Sequence, residues 1–412
     1  MSARPSEHDP VAKYLLLGAT AFLTVVGLVM IYSASSVADL QTFGDTAHHL
    51  KSQALYAVIG VILLLVLSRI DYRHLRALVI PSLVIADALC AVVFALGYGK
   101  WGATRWLDLG PINVQPSEIA KVAVVASVAL LLSATPPHRR TATALLLPLG
   151  LIVIPAAALI MLQPDMGTTM AMIVAVVFVL WIGDFDRRSF LVTLFAVASV
   201  VPIAVIAAPY RFRRLTAFIA PWASPKGDGY QIIQAMYAFG SGGWHGVGLG
   251  LSRQKFFYLP AAHTDFIFAI IGEELGLIGA LAIVVGFAVL AYAGLRIAQR
   301  TPDRFGRLLA GGVIISIASQ AAMNMLAVTG LMPITGIPLP LVSFGGSSMV
   351  LNLACLGLVL SVYRHGRVAL PRAASKSRSV RAEEHAREGL DEWRRDGRSH
   401  LSGVDGGRRA SR

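Results

Sequence analysis

The tetrapeptide His263-Thr264-Asp265-Phe266 sets an acid at the mouth of an apolar segment that begins at residue 267. A carboxylate is expensive to keep at such a boundary, so by default it marks a functional site. An acid placed there can accept the proton of a hydroxyl nucleophile, work that contributes typically about 10²–10⁴-fold to a rate. Partial desolvation raises its pKa and strengthens it as a base while it stays ionised. Upstream, Arg211, Arg213 and Arg214 cluster rather than scatter. Arginine's bidentate fork suits phosphate oxygens better than lysine's point charge, so an anionic ligand is the sharper reading of that cluster. Glu118 and Lys121 are three apart just after Gln115-Pro116-Ser117, and Pro116 suits the first turn of a helix. They are then neighbours on one helical face, either as an ordinary ion pair with a snorkelling lysine or as lining of a polar site. Arg105 stands in a further polar string, Gly102-Ala103-Thr104-Arg105-Trp106.

The elements that must position these residues are membrane helices. The chain has 412 residues, 56% hydrophobic and only 14% charged, with a mean hydropathy of +0.66. A soluble domain carries about a quarter charged residues. Segments of about 17–25 apolar residues cross a bilayer, and about ten occur: 11–33, 52–68, 77–97, 117–135, 143–161, 166–182, 189–208, 267–295, 308–329 and 344–363. The first has no small-residue cleavage site and reads as a retained helix. The expected fold is all-α, a polytopic membrane protein with a large extracytoplasmic loop, 209–263, between spans seven and eight. Residues 1–10 read as a cytoplasmic N-terminus, 11–366 as the transmembrane domain and 367–412 as a basic, disordered tail.

Charge fixes the orientation. Arginines recur in alternate loops, at Arg69, Arg73 and Arg76, then Arg139 and Arg140, Arg187 and Arg188, and Arg296 to Arg307. The short loops around Gln163 and Pro333 carry none. The positive-inside rule makes both termini cytoplasmic and puts the 209–263 loop outside. That loop is itself basic, with six Lys/Arg against Asp228 alone. The net charge of +13 invites a nucleic-acid reading, but the tail has no aromatic interleaving or recognisable module, and a basic tail beside a membrane is topogenic or meets anionic lipid.

Other motifs carry less. Gly246-Val247-Gly248-Leu249-Gly250 follows no strand and lacks the acidic partner of a dinucleotide fold. Ser343 to Ser348 is not a nucleophile elbow, and its glycines suit close backbone approach at a helix start. His48-His49 cannot share one helical face and reads as a solvated loop. Asp87 lies mid-span, either functional or satisfied by a neighbouring helix. Cys90 and Cys355 lie in apolar runs and make neither a disulfide framework nor a thiol metal site.

With these residues in view, the chain resembles the SEDS family of shape, elongation, division and sporulation proteins, FtsW, RodA and SpoVE, over roughly residues 14–366. The strings that carry the resemblance are Gly102–Trp106, Gln115–Lys121, Gln163–Thr168, Tyr258–Gly276 and Pro338–Ser348. Gly242–Gly250, Ala262–Asp265 and Ile334–Gly336 look more like the FtsW branch than the RodA branch. The resemblance implies a peptidoglycan glycosyltransferase that polymerises lipid II at the outer face of the cytoplasmic membrane during septal wall synthesis. Asp265 matches the family's essential loop aspartate, and Glu118 and Lys121 match polar residues of its cavity. Arg105, Arg211, Arg213, Arg214, His263, Ser343 and Ser347 complete the candidate substrate-binding set. One departure is Leu259-Pro260-Ala261, where the family commonly has Leu-Pro-Glu. Glu273 and Glu274 lie more than two turns beyond Asp265 and read as structural.

The implied partners are lipid II, a cognate class B penicillin-binding protein, division-complex activators and membrane lipids, with no nucleic acid. No cofactor is evident; a diphosphate leaving group admits a divalent cation, although the sequence shows no ligand set for one. The rival readings are a lipid II flippase and a non-catalytic division scaffold. Against the flippase, the polar groups gather near one face and no inverted repeat is visible.

Overall fold

The computed structural model describes residues 9–97, 105–108, 113–206 and 208–366. Most of the N-terminal segment 1–10, the Gly102-Ala103-Thr104 part of its string and the basic tail 367–412 lie outside the described residues. The architecture is all-α. In chain order the helices are α1 (Pro10–Phe43), α2 (His48–Arg69), α3 (Arg76–Leu96), α4 (Pro116–Ala134), α5 (Ala142–Leu162), α6 (Met166–Ile182), α7 (Arg187–Ile206), α8 (Pro209–Ile219), α9 (Tyr230–Gly242), α10 (Ile267–Arg300), α11 (Arg304–Val328) and α12 (Gly346–His365). A two-residue ribbon, β1 (Leu107–Asp108) against β2 (Asn113–Val114), pairs Leu107 with Val114.

Each of the ten apolar segments is a helix. Among the described residues, eight are long and apolar enough to cross a membrane, and α6 is a shorter apolar helix. The chain is a membrane protein. Residues 209–263 contain two short helices, α8 and α9. α8 is too polar, and both are too short, to announce themselves by hydropathy. The helices pack as a bundle with α4, α11 and α12 innermost and α5 turned mostly outward. Small residues permit the closest crossings, as expected where lipid gives no hydrophobic drive between helices. On Gly357 of α12 an added Cβ would lie 2.7 Å from the Leu64 backbone of α2.

Aspartates at helix starts tie one end of the bundle together. Asp9 caps α1 through the Ala12 amide and pairs with Arg296 at 2.9 Å and Arg300 at 3.0 Å. Asp303 caps α11 through Gly306 while meeting Arg76 at 3.0 Å and the Tyr72 hydroxyl at 2.8 Å. Asp184 stands within 4 Å of Arg140, Arg304 and Arg307. The arginine-bearing loops therefore gather at one end, and the strings around Asp265 gather at the other.

At that second end α10 is broken. Gly276 has φ 65° and ψ −165°, so the helix opens there. The glycine-rich stretch after α9 bonds into the opening. Val247 and Gly248 donate to the carbonyls of Glu273 and Glu274 at 3.0 and 3.1 Å, and Leu277 and Ile278 donate to Gly243 and Trp244 at 2.9 and 3.2 Å. The side chains of the same two glutamates hold α1 and the turn that follows the glycines. Glu274 accepts from Ser33 at 2.6 and 2.7 Å, and Glu273 accepts from the Arg253 amide at 3.0 Å. Gly242, Gly246 and Gly276 thus serve backbone-to-backbone approach.

A Cβ on Gly246 would sit 2.1 Å from the Glu274 carbonyl oxygen, and its φ is +81°. Gly246→Ala should destabilise the folded chain by on the order of 3 kcal/mol. Gly240→Ala in α9, where nothing lies within 4 Å, should be neutral or slightly stabilising. Detergent thermal denaturation of both variants checks the contrast, and equal midpoints would contradict the threaded arrangement.

Candidate active site

The turn before α10 fixes where Asp265 points. Ala261 takes a left-handed φ of 56°. Its carbonyl accepts from the Thr264 and Phe266 amides at 3.1 and 3.2 Å. Phe266 is thereby drawn into the core, and Asp265 is left half-buried at the rim. Neighbouring elements clamp the backbone. Asn324 of α11 donates to the carbonyls of Asp265 and Ile337, both at 2.8 Å. Ser343 Oγ donates to Thr264 O at 2.6 Å and accepts from the Leu339 amide, while the Phe344 amide donates to His263 O. Gln53 of α2 grips the far side of this segment, donating to Ser343 O and accepting from Gly345 N.

Two guanidiniums flank the acid. Arg105 donates to Gln163 O at 3.1 Å and to Pro164 O. Arg214 on α8 donates to Ile334 O at 3.2 Å. A Cβ placed on Gly336 would lie 3.3 Å from Arg214 Nη1 and 3.8 Å from Asp265 Oδ2, so acid and cation border one small space. Burial pushes the Asp265 carboxyl up to about 6, Arg105 and Arg214 pull against that, and Asp165 adds to it. Asp165 is buried at the start of α6, accepting from Gln115, Ser117 and the Thr168 amide, each at 3.2 Å. The result is a carboxylate that titrates near neutrality between two fixed cations. That combination can accept a proton and hold an anionic leaving group at once.

Below this rim lies a buried polar column. Lys121 Nζ donates to Glu118 at 2.9 Å and also to Gln320 Oε1 of α11, and Glu118 also accepts from Ser348 at 3.4 Å. Glu118 and Lys121 are 1% and 2% exposed, which makes them interior residues of the bundle and not a surface pair with a snorkelling lysine. Gln320 and Asn324, four apart on α11, join the column to the Asp265 turn.

The remaining candidates separate. Arg211, Arg213 and Arg214 do not form one cluster, because α8 is helical and turns Arg213 away. Arg213 is 66% exposed toward Asp228, whereas Arg211 braces Met161 O at the end of α5. Ser347 Oγ accepts from the Gln115 amide at 3.2 Å, and Ser343 belongs to the clamp. The His263 ring lies 4.7 Å from that of His49. His48-His49 is not a solvated loop, since the pair opens α2 and splits its two faces. His48 stacks on Phe43, while His49 meets Asp39 through both its ring Nδ1 and its amide. Asp39 and His49 carried no local signal, being ten residues apart across a helix–helix turn. Asp87 has one carboxylate oxygen buried with no hydrogen-bond partner among the described residues.

The family match covers this whole region. The family described as "Cell cycle protein", that of FtsW, RodA and SpoVE, matches residues 14–368. The chain belongs to it. Stage V sporulation protein E of Bacillus subtilis is 41% identical over 86% of this chain and 97% of its own. A probable peptidoglycan glycosyltransferase FtsW of Trichlorobacter lovleyi is 39% identical over 87% and 94%. Among solved structures, a peptidoglycan synthase complex described as coordinating polymerization and crosslinking aligns with TM-score 0.71 at 29% identity, over 85% of this chain and 97% of that one. The rod shape determining protein RodA of Thermus thermophilus aligns with TM-score 0.62 at 28% identity, over 85% and 95%.

Because folding raises the Asp265 pKa from 3.8 to about 6, this group favours the fold most when protonated, and that stability is lost as pH rises through about 6. Asp265→Asn should therefore raise the thermal midpoint at neutral pH and leave it nearly unchanged near pH 4. A midpoint lowered at neutral pH would contradict the desolvated acid.

Proposed function

We propose that the chain is a peptidoglycan glycosyltransferase that polymerises lipid II at the outer face of the cytoplasmic membrane, with Asp265 as general base. The observation that carries this reading is a half-buried carboxylate with a pKa of about 6 between Arg105 and Arg214, at the end of the bundle opposite the arginine-rich loops. A sugar hydroxyl oxygen attacks the anomeric carbon of a second lipid-linked sugar. Its proton passes to Asp265, the bond from the anomeric carbon to the phosphate oxygen breaks, and undecaprenyl diphosphate departs with the electron pair. Arg105 and Arg214 sit where charge develops on that diphosphate, and preorganised cations there lower the barrier. The lipid tails stay in the bilayer, which is why the site is built on membrane helices.

Both termini are cytoplasmic in this reading, which the gathering of arginine loops at one end supports. The likeness to a polymerising and crosslinking synthase complex supports a class B penicillin-binding protein as partner. The relatives named FtsW support a place at the division septum, where division-complex activators would act on it. The basic tail would then meet cytoplasmic division proteins or anionic lipid. Glu118 and Lys121 act in this reading through Gln320 and Asn324, as supports of the Asp265 turn.

The test is lipid II polymerisation by the purified chain with its cognate penicillin-binding protein, followed by gel. Asp265→Asn should lose about 10²–10⁴-fold and Arg214→Gln on the order of 10²-fold. Activity of the wild type should climb along a single-proton limb through about pH 6 and level off above it. Equal polymer from wild type and Asp265→Asn would remove Asp265 from the chemistry.

A further inference from the structure

At the end of the bundle opposite Asp265, one carboxylate oxygen is shared by three arginines. Asp184 Oδ2 lies 3.3 Å from Arg304 Nη2, 3.8 Å from Arg307 Nη2 and 3.8 Å from Arg140 Nη1. One acid against three cations leaves an excess of two positive charges. Arg187 and Arg188 stand exposed at the nearby start of α7. Arg140 is 3% exposed and spends its Nε and Nη2 on Thr135 O, so it is anchored rather than adaptable. Arg304 and Arg307 lie in the first turn of α11, whose positive end Asp303 caps, and Arg304 Nη2 also donates to Gly183 O at 2.7 Å. Their Nε groups are buried and find no acceptor among the described residues. Asp184, itself 70% exposed and held at φ 53°, meets only part of this demand.

A second observation lies against the first. A groove of about 470 Å³ runs between α6, α7 and α11, lined by Val174, Phe178, Trp181, Phe190, Ile315 and Ala318 among others. Its lining is almost wholly apolar. It opens on the outside of the bundle, and Trp181 and Phe190 line it at the end nearer Asp184. Trp181 is three residues from Asp184, and Phe190 is in the first turn of α7. A Cβ on Gly311, one turn beyond Arg307, would meet Ile182 at 2.8 Å and Phe178 at 3.5 Å. A cationic site thus lies near one end of an apolar trough of ligand-sized volume.

We propose that this trough and the Arg140/Arg304/Arg307 cluster bind an anionic phospholipid, its phosphodiester among the guanidiniums and an acyl chain along α6, α7 and α11. Basic pockets between helices at the cytoplasmic side are the expected place for such headgroups. The cytoplasmic leaflet rests on the orientation given under the proposed function. The binding itself does not, and its test is independent of polymerisation.

The experiment is native mass spectrometry of the full chain in detergent with an equal mixture of phosphatidylglycerol and phosphatidylcholine of matched acyl chains. The wild type should retain phosphatidylglycerol at least about tenfold over phosphatidylcholine, which corresponds to about 1.4 kcal/mol. Arg304→Gln with Arg307→Gln should abolish the preference, whereas Arg296→Gln with Arg300→Gln, a basic pair already satisfied by Asp9, should keep it. Ala318→Trp, which fills the trough on the lipid-facing side and leaves the arginines intact, should lower retention several-fold. Equal retention of the two lipids by the wild type would overturn the proposal, as would a preference that survives the Arg304/Arg307 pair. Displacement of the lipid by inorganic phosphate, or retention unaltered by Ala318→Trp, would reduce the site to a simple anion site and overturn the lipid assignment.

Discussion

The side-chain amide of Asn324 donates to two carbonyls at once, those of Asp265 and Ile337. One helical turn below it, Gln320 donates to Pro338 O and accepts from Lys121. The outer end of α11 therefore acts as a rack on which two separate loops are hung side by side. The loop between α9 and α10 hangs by its last residues, and the loop between α11 and α12 by its middle. At the edge of a bilayer an unmade hydrogen bond to a buried carbonyl costs about 1–3 kcal/mol. Neither loop can slip by a residue without leaving such a group bare. That constraint sets the register of the Asp265 turn against Gly336, and through Gly336 against Arg214.

What the sequence conveyed followed from what a bilayer demands locally. Lipid requires long apolar helices, so the ten segments could be read one at a time, and an acid at the lip of one of them stood out. Contacts between distant segments have no such local signature. Nothing near Asn324 announces that it will hold the Asp265 turn 59 residues away, and nothing near Gln53 announces that it will hold Ser343 and Gly345, 290 and 292 residues away. Arg211, Arg213 and Arg214 looked like one patch because adjacency is visible in a sequence, whereas the helical turn that divides them is not when the helix has only 11 residues. His49 was misplaced for the opposite reason. Its partner Asp39 lies on the protruding end of a 34-residue helix, about 51 Å long and well beyond the span that apolar length alone marks.

The Glu118–Lys121 column shows a second cost accepted for position. Burying an ion pair rarely stabilises a fold over a well-packed apolar pair, because desolvation offsets the attraction. Here the pair is completed by Gln320 and Ser348 from two other helices. Three helices of the bundle interior are thereby locked in relative height beneath the reactive rim. Removing either charge would leave the other buried and unpaired, which is costly whatever its part in the chemistry.

The pairing of α1 with α10 also bears on biogenesis. Asp9 and Arg296 are 287 residues apart, and Ser33 and Glu274 are 241 apart. A chain made from its N-terminus commits its first helix to the membrane long before the helix that meets Asp9 at its start and Ser33 along its length has been synthesised. Until then Asp9 lacks both arginines and Ser33 lacks its carboxylate. The α1–α10 contact is necessarily a late event, whereas α1 can pack on α2, and α3 on α4, as soon as those helices are made.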